Sequence, residues 1–125
     1  ARQQGAKFGG LTNSAIARSL HPERAQDHTL INQIKTMGDR LGNAVFLRQS
    51  ALIRQNISTQ PITCPTLIVA ARQDRLRSLA ESEELQHFIA GSALQQIDRC
   101  GHMVPLEQPE QLAAIVLGWL NQLAD

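Results

Sequence analysis

Leu94-Gln95-Gln96-Ile97-Asp98-Arg99-Cys100-Gly101-His102-Met103-Val104-Pro105-Leu106-Glu107-Gln108-Pro109-Glu110 is the stretch that decides the fold. A short segment able to pair as a strand runs into a glycine, presents a histidine and passes through two prolines into a helix. In that helix Leu112, Val116, Trp119, Leu120 and Leu123 recur at helical spacing. His102 therefore stands on a tight loop just past a strand end. In open α/β sheets such loops form the carboxyl edge, where ligands bind, and a histidine there can act as general base near neutral pH. A surface or hydrogen-bonded loop histidine would have the same sequence around it.

Upstream, the register changes at Gln60-Pro61-Ile62-Thr63-Cys64-Pro65, a linker that feeds Thr66-Leu67-Ile68-Val69-Ala70-Ala71. That run is apolar on both faces, the pattern of a buried parallel strand. Ser78-Leu79-Ala80-Glu81 has capping-box spacing and starts a helix with Leu85, Phe88 and Ile89 expected inward and Gly91 as its stop. Residues 93 to 98 supply the next strand, so the segment is one right-handed βαβ unit with two parallel neighbours. Asp74 follows the first strand as His102 follows the second. With strands about 4.8 Å apart, a carboxylate on one loop can reach an imidazole on the other, fix its tautomer and stabilise the imidazolium. Asp74 could equally be a turn residue paired with Arg72, Arg75 or Arg77.

Before residue 61 the pattern is helical. Residues 1 to 11 hold three glycines and read as a loop. Thr12 or Asn13 caps a short helix carrying Ile16 and Leu20, which Pro22 stops. A second helix begins near Asp27 and carries Leu30, Ile34, Met37 and Leu41, with Gly42 at its terminating position. A third runs from Asn43 towards Arg54 with Ala44, Leu47 and Ala51 on one face.

Composition narrows the function. The 125 residues are 42% hydrophobic and 18% charged, and 12 basic residues nearly balance 11 acidic ones, so no electrostatic footprint for nucleic acid or an anionic membrane exists. No apolar run approaches the roughly 20 residues that span a bilayer, and there is no signal pattern, so a soluble, cytoplasmic protein is expected. The two cysteines, Cys64 and Cys100, lack metal-ligand spacing and read as free thiols. No metal or cofactor is expected. His21, His28 and His87 read as solvated side chains, and Met103, beside the candidate base, as either core packing or the lining of a substrate pocket.

Ile62 to Asp74, followed by Cys100-Gly101-His102 and Glu107-Gln108-Pro109-Glu110, resembles the C-terminal part of an α/β-hydrolase. In that family an aspartate after the penultimate core strand and a Gly-His after the last one complete a triad in the order Ser, Asp, His. The resemblance implies Asp74 as acid and His102 as base. It divides the chain into a helical cap, residues 1–60, and the C-terminal part of the core, residues 61–125; the cap is the less specific match. Ala71 stands where the family usually has glycine, and Ser78 near a frequent proline. No G-x-S-x-G is present, and Ser14, Ser19, Ser50 and Ser58 lie on or beside the expected cap helices, so the nucleophile is expected outside this chain.

The implied activity is hydrolysis of a small-molecule ester, lactone, thioester or C–C bond, with this chain inactive alone. Its open sheet edge implies a homo-oligomer or association with a missing N-terminal half. The alternative is a non-catalytic half-domain acting as an assembly or binding module.

Overall fold

In a computed structural model, residues 10–53 and 61–124 are described. Residues 1–9 of the loop expected over residues 1 to 11, the end of the third helix at Arg54, and Ser58 lie outside them.

Thr12 caps α1 (Asn13–Ser19), its hydroxyl accepting the Ala15 amide. Pro22 does more than stop this helix. It opens a short 3-10 turn, Pro22–Arg24, whose N-cap is His21. Asp27 then caps α2 (His28–Ser50) through a bond from the Leu30 amide. Gly42 breaks α2 into two helical pieces at φ 74° and ψ 166°, a conformation that side chains larger than hydrogen disfavour. The two helices read from the sequence are these two pieces, and Gly42 stands between them where their boundary was expected. Leu30, Ile31 and Ile34 of its first piece bury against Ile16 of α1 and Leu20 just past its end. The outer residues do not follow the expected stripe: Met37, Leu41 and Leu47 are exposed, because among the described residues no further layer covers that side.

β1 (Leu67–Ala71) and β2 (Ala93–Ile97) form a parallel pair in register from Leu67 opposite Ala93 to Ala71 opposite Ile97. Between them runs α3 (Leu79–Phe88). Its start is the capping box read from the sequence, with the Glu81 amide bonded to the Ser78 hydroxyl and the Ser78 amide to the Glu81 carboxylate. Gly91, at φ 76°, lies in the turn that returns the chain to the sheet. Ile89 is buried as expected, but Phe88 is 57% exposed, a correction to its inward assignment. The helix ends at Phe88, and the non-helical backbone at Ile89 turns that side chain, rather than its neighbour, inward.

After β2 comes a short helix not anticipated from the sequence, α4 (Val104–Glu107), and then α5 (Pro109–Ala124). Leu112 and Ile115 of α5 pack on Ala71, Ile97 and Cys100, so the helix covers the sheet as expected. Leu120 and Leu123, however, are exposed. Among the described residues the sheet has two strands, and the second edge of β1 carries no strand. No helix among them is long and apolar enough to cross a membrane.

Because the cap is the local start signal for α3, Ser78→Ala should lower stability by about 1 kcal/mol. A urea unfolding midpoint indistinguishable from that of the unsubstituted chain would show that packing alone holds the helix.

Candidate functional site

The parallel register brings the ends of β1 and β2 side by side, and the loops that leave them are joined before any catalytic group is considered. The main-chain amide of Gln73 donates to Cys100 O at 3.1 Å, and its side chain both accepts the Cys100 amide at 3.1 Å and donates to Asp98 Oδ1 at 2.7 Å. On this double loop His102 Nδ1 lies 2.8 Å from Asp74 Oδ2.

The other oxygen of Asp74 accepts the amides of Leu76 and Arg77 at 2.8 and 3.0 Å. Burial pushes the Asp74 carboxyl up, but the hydrogen bond from His102 and those two amides outweigh it and hold the group below the ordinary carboxylate value. An ionised carboxylate only accepts, so the imidazole must carry its proton on Nδ1, which leaves Nε2 of the neutral ring as the free basic nitrogen. The Asp74 side chain is 9% exposed and that of His102 41%: the carboxylate is enclosed and the imidazole is reachable.

None of the three arginines near Asp74 pairs with it. Arg77 bonds Glu81 at 3.3 Å, Arg72 lies near Asp98, and Arg75 turns away to the end of α1, where Nη2 donates to Ala17 O at 2.9 Å and to Leu20 O at 3.3 Å.

His102 opens onto an apolar cavity of about 420 Å³ beneath α1 and α2. Ile16, Ile34, Met37 and Leu41 roof it, and Leu76 and Met103 flank the histidine. Met103 also packs against the buried cluster of α1 and α2. A smaller cavity of about 260 Å³ runs from the same pair along β1.

The remaining candidates stay apart from this chemistry. His21 is half-buried and its ring accepts the Glu23 amide at 3.2 Å, whereas His28 and His87 are exposed. Ser19 reaches the cavity wall, but its hydroxyl donates to Ile16 O at 2.6 Å. Burial, with the nearby Glu107 carboxylate, pushes the Cys100 thiol up to about 11, which leaves almost no thiolate at neutral pH. Both cysteines are free. Among the described residues no cluster of His, Cys, Asp and Glu could hold a metal ion.

Two contributors escaped the sequence reading. Glu107, to which the sequence reading gave no role of its own, is buried and accepts three main-chain amides, those of His21, Gly101 and Met103, at 2.7, 3.1 and 3.2 Å. The one hint in the sequence is that it is the only charge in Met103-Val104-Pro105-Leu106-Glu107. Gly101 is required by close approach: a Cβ there would lie 2.4 Å from Leu20 C, 2.6 Å from His21 N and 2.7 Å from Ser19 O, all backbone atoms.

Since backbone cannot yield as a flexible side chain does, Gly101→Ala should force α1 off the loop and destabilise the chain by about 2 kcal/mol. Thermal unfolding checks this, and an unaltered midpoint would mean that the two segments separate freely.

No family model matches the chain. It is similar to monoacylglycerol lipase abhd6-A of Xenopus laevis, 31% identical over 62 residues, and to monoacylglycerol lipase ABHD6 of Bos taurus, 30% identical over 59. These matches cover 50% and 47% of this chain and 18% of each relative's length. Among solved structures it is similar to MGS-M2, an α/β-hydrolase enzyme from a Medee basin deep-sea metagenome library, with a TM-score of 0.64 and 28% identity over 85% of this chain and 42% of that one. The chain thus spans under half of the solved enzyme and about a fifth of the curated relatives it matches.

Proposed function

From a chain that has the fold of an α/β-hydrolase's C-terminal part, we propose the acid and base of a nucleophile-His-Asp hydrolytic site. His102 is the base and Asp74 the acid. The observation that carries this is the 2.8 Å contact between His102 Nδ1 and Asp74 Oδ2, made where two neighbouring parallel strands end. In the reaction, Nε2 of His102 takes the proton of the nucleophile or of a water. Asp74, held ionised by two amides, stabilises the imidazolium and keeps its ring in place. The proton then returns to the leaving group.

The nucleophile and oxyanion donors come from a segment outside these 125 residues, since no G-x-S-x-G occurs here and Ser19 and Cys100 are unsuited to the role. The substrate is an ester or thioester with an apolar acyl chain, for which the cavity beside His102 offers an almost wholly aliphatic wall. The monoacylglycerol lipases among its relatives support the same class.

In the complete enzyme, His102→Ala should abolish nearly all ester hydrolysis, and Asp74→Asn should cost a factor of about 10⁴ by leaving the wrong tautomer. A rate for Asp74→Asn within about tenfold of the starting enzyme, worth roughly 1.4 kcal/mol, would place the acid elsewhere.

The second edge of β1, which carries no strand among the described residues, takes an earlier strand of the hydrolase sheet or, in its absence, another copy of the chain. Light scattering on the 125-residue chain should therefore find association. A stable, monodisperse monomer would contradict this.

A further inference from the structure

Glu107 is 2% exposed, and its carboxylate touches neither Asp74 nor the imidazole. Burying such a group is costly unless donors converge on it. Those donors come from two separate parts of the chain: Oε1 accepts the amide of His21, just past α1, and Oε2 accepts those of Gly101 and Met103, the residues on either side of His102. All three are main-chain N–H groups, so they cannot swing away to another partner. Next to them the His102 amide donates to Ser19 O at 2.7 Å, the contact at which the loop meets α1.

We propose that Glu107 is the positioning residue of the site, its carboxylate locking the loop that carries His102 to the end of α1. Through that lock the imidazole keeps a single placement against both Asp74 and the helices roofing the apolar cavity. The inference rests on His102 being the base, but its test uses no activity.

Two substitutions break the lock from opposite sides. Glu107→Gln keeps the shape but leaves one oxygen and one NH2 group for three donors. The oxygen serves the two loop amides, and the NH2 faces the amide of His21. His21→Pro replaces the third N–H by a ring CH2 that cannot donate and that meets Oε1, so this side of the lock is opened outright. His21 has φ −53° and ψ 140°, near the proline value and suitable before Pro22, while Leu20 at φ −98° and ψ 163° suits a residue preceding proline. His21→Ala is the reference for it, losing the ring that accepts the Glu23 amide but keeping the His21 amide.

The readouts on the intact protein are single-residue amide hydrogen exchange and the resonance of the His102 Nδ1 proton. In Glu107→Gln relative to the unsubstituted protein, and in His21→Pro relative to His21→Ala, the His102 amide should exchange about tenfold faster. The Nδ1 proton should broaden, and the amides of β1 should keep their protection within about twofold. Should Glu107→Gln unfold the chain, His21→Pro decides. If His21→Pro matches His21→Ala at the His102 amide and ring, Glu107 only fills the core and the proposal is overturned. A base located elsewhere would show instead as activity surviving His102→Ala, with these spectra unaffected.

Discussion

An α-helix leaves its last carbonyls without partners inside the helix, and the end of α1 is where this chain meets that requirement with residues of the site. Arg75 Nη2 serves Ala17 O and Leu20 O, the His102 amide serves Ser19 O, and the Ser19 hydroxyl serves Ile16 O. Arg75 belongs to the loop that holds Asp74, and His102 is the candidate base. Satisfying a seven-residue helix therefore draws both loops to one place. A cation at a helix C-terminus is favourable in addition, because the carbonyl ends carry partial negative charge. Gly101 belongs to the same constraint, since the loop reaches these carbonyls only by passing within backbone contact of Leu20 and His21.

Given that junction, the electrostatics of the pair are settled by enclosure. Asp74 lies beneath the loop with two amides on one oxygen and the imidazole on the other, whereas His102 faces the cavity and solvent. One group is kept charged and rigid, and the other can exchange protons. The aliphatic roof over the pair comes from α1 and the first piece of α2, so the packing that stabilises these helices also shapes the space in front of the base. The kink at Gly42 ends that packed piece, and the second piece carries its apolar residues on the surface.

Much of this was legible in the residues alone. Apolar residues on both faces of 67 to 71, the capping box at Ser78 and the glycine-histidine step at 101 and 102 define strand, helix, strand and loop from local chemistry. Once two strands are parallel neighbours, their C-terminal loops share an edge, so Asp74 and His102 could be placed together before any coordinates. Resemblance to the α/β-hydrolases named the same two residues. Burial was less legible. Phe88 and Leu120 carry the right periodicity for an inward face yet are exposed, because periodicity states which side of a helix is apolar and not how far the layer beneath it extends.

What the sequence by itself determined is the order of elements, the parallel pair and the approach of the Asp74 carboxylate to the His102 imidazole, all consequences of short-range patterns and the handedness of a βαβ unit. What only the tertiary structure decided is the company those residues keep. Glu107 was read from the sequence only as part of the stretch that resembles the family, and its burial rests on a partner far along the chain. Its three donors lie at residues 21, 101 and 103, and they converge only because α1 docks across the loop. Arg75 likewise reads as a partner for Asp74 but finds the end of α1 instead. Contacts between segments some 55 to 86 residues apart are set by how layers pack, a property of the whole chain that no stretch of residues carries alone.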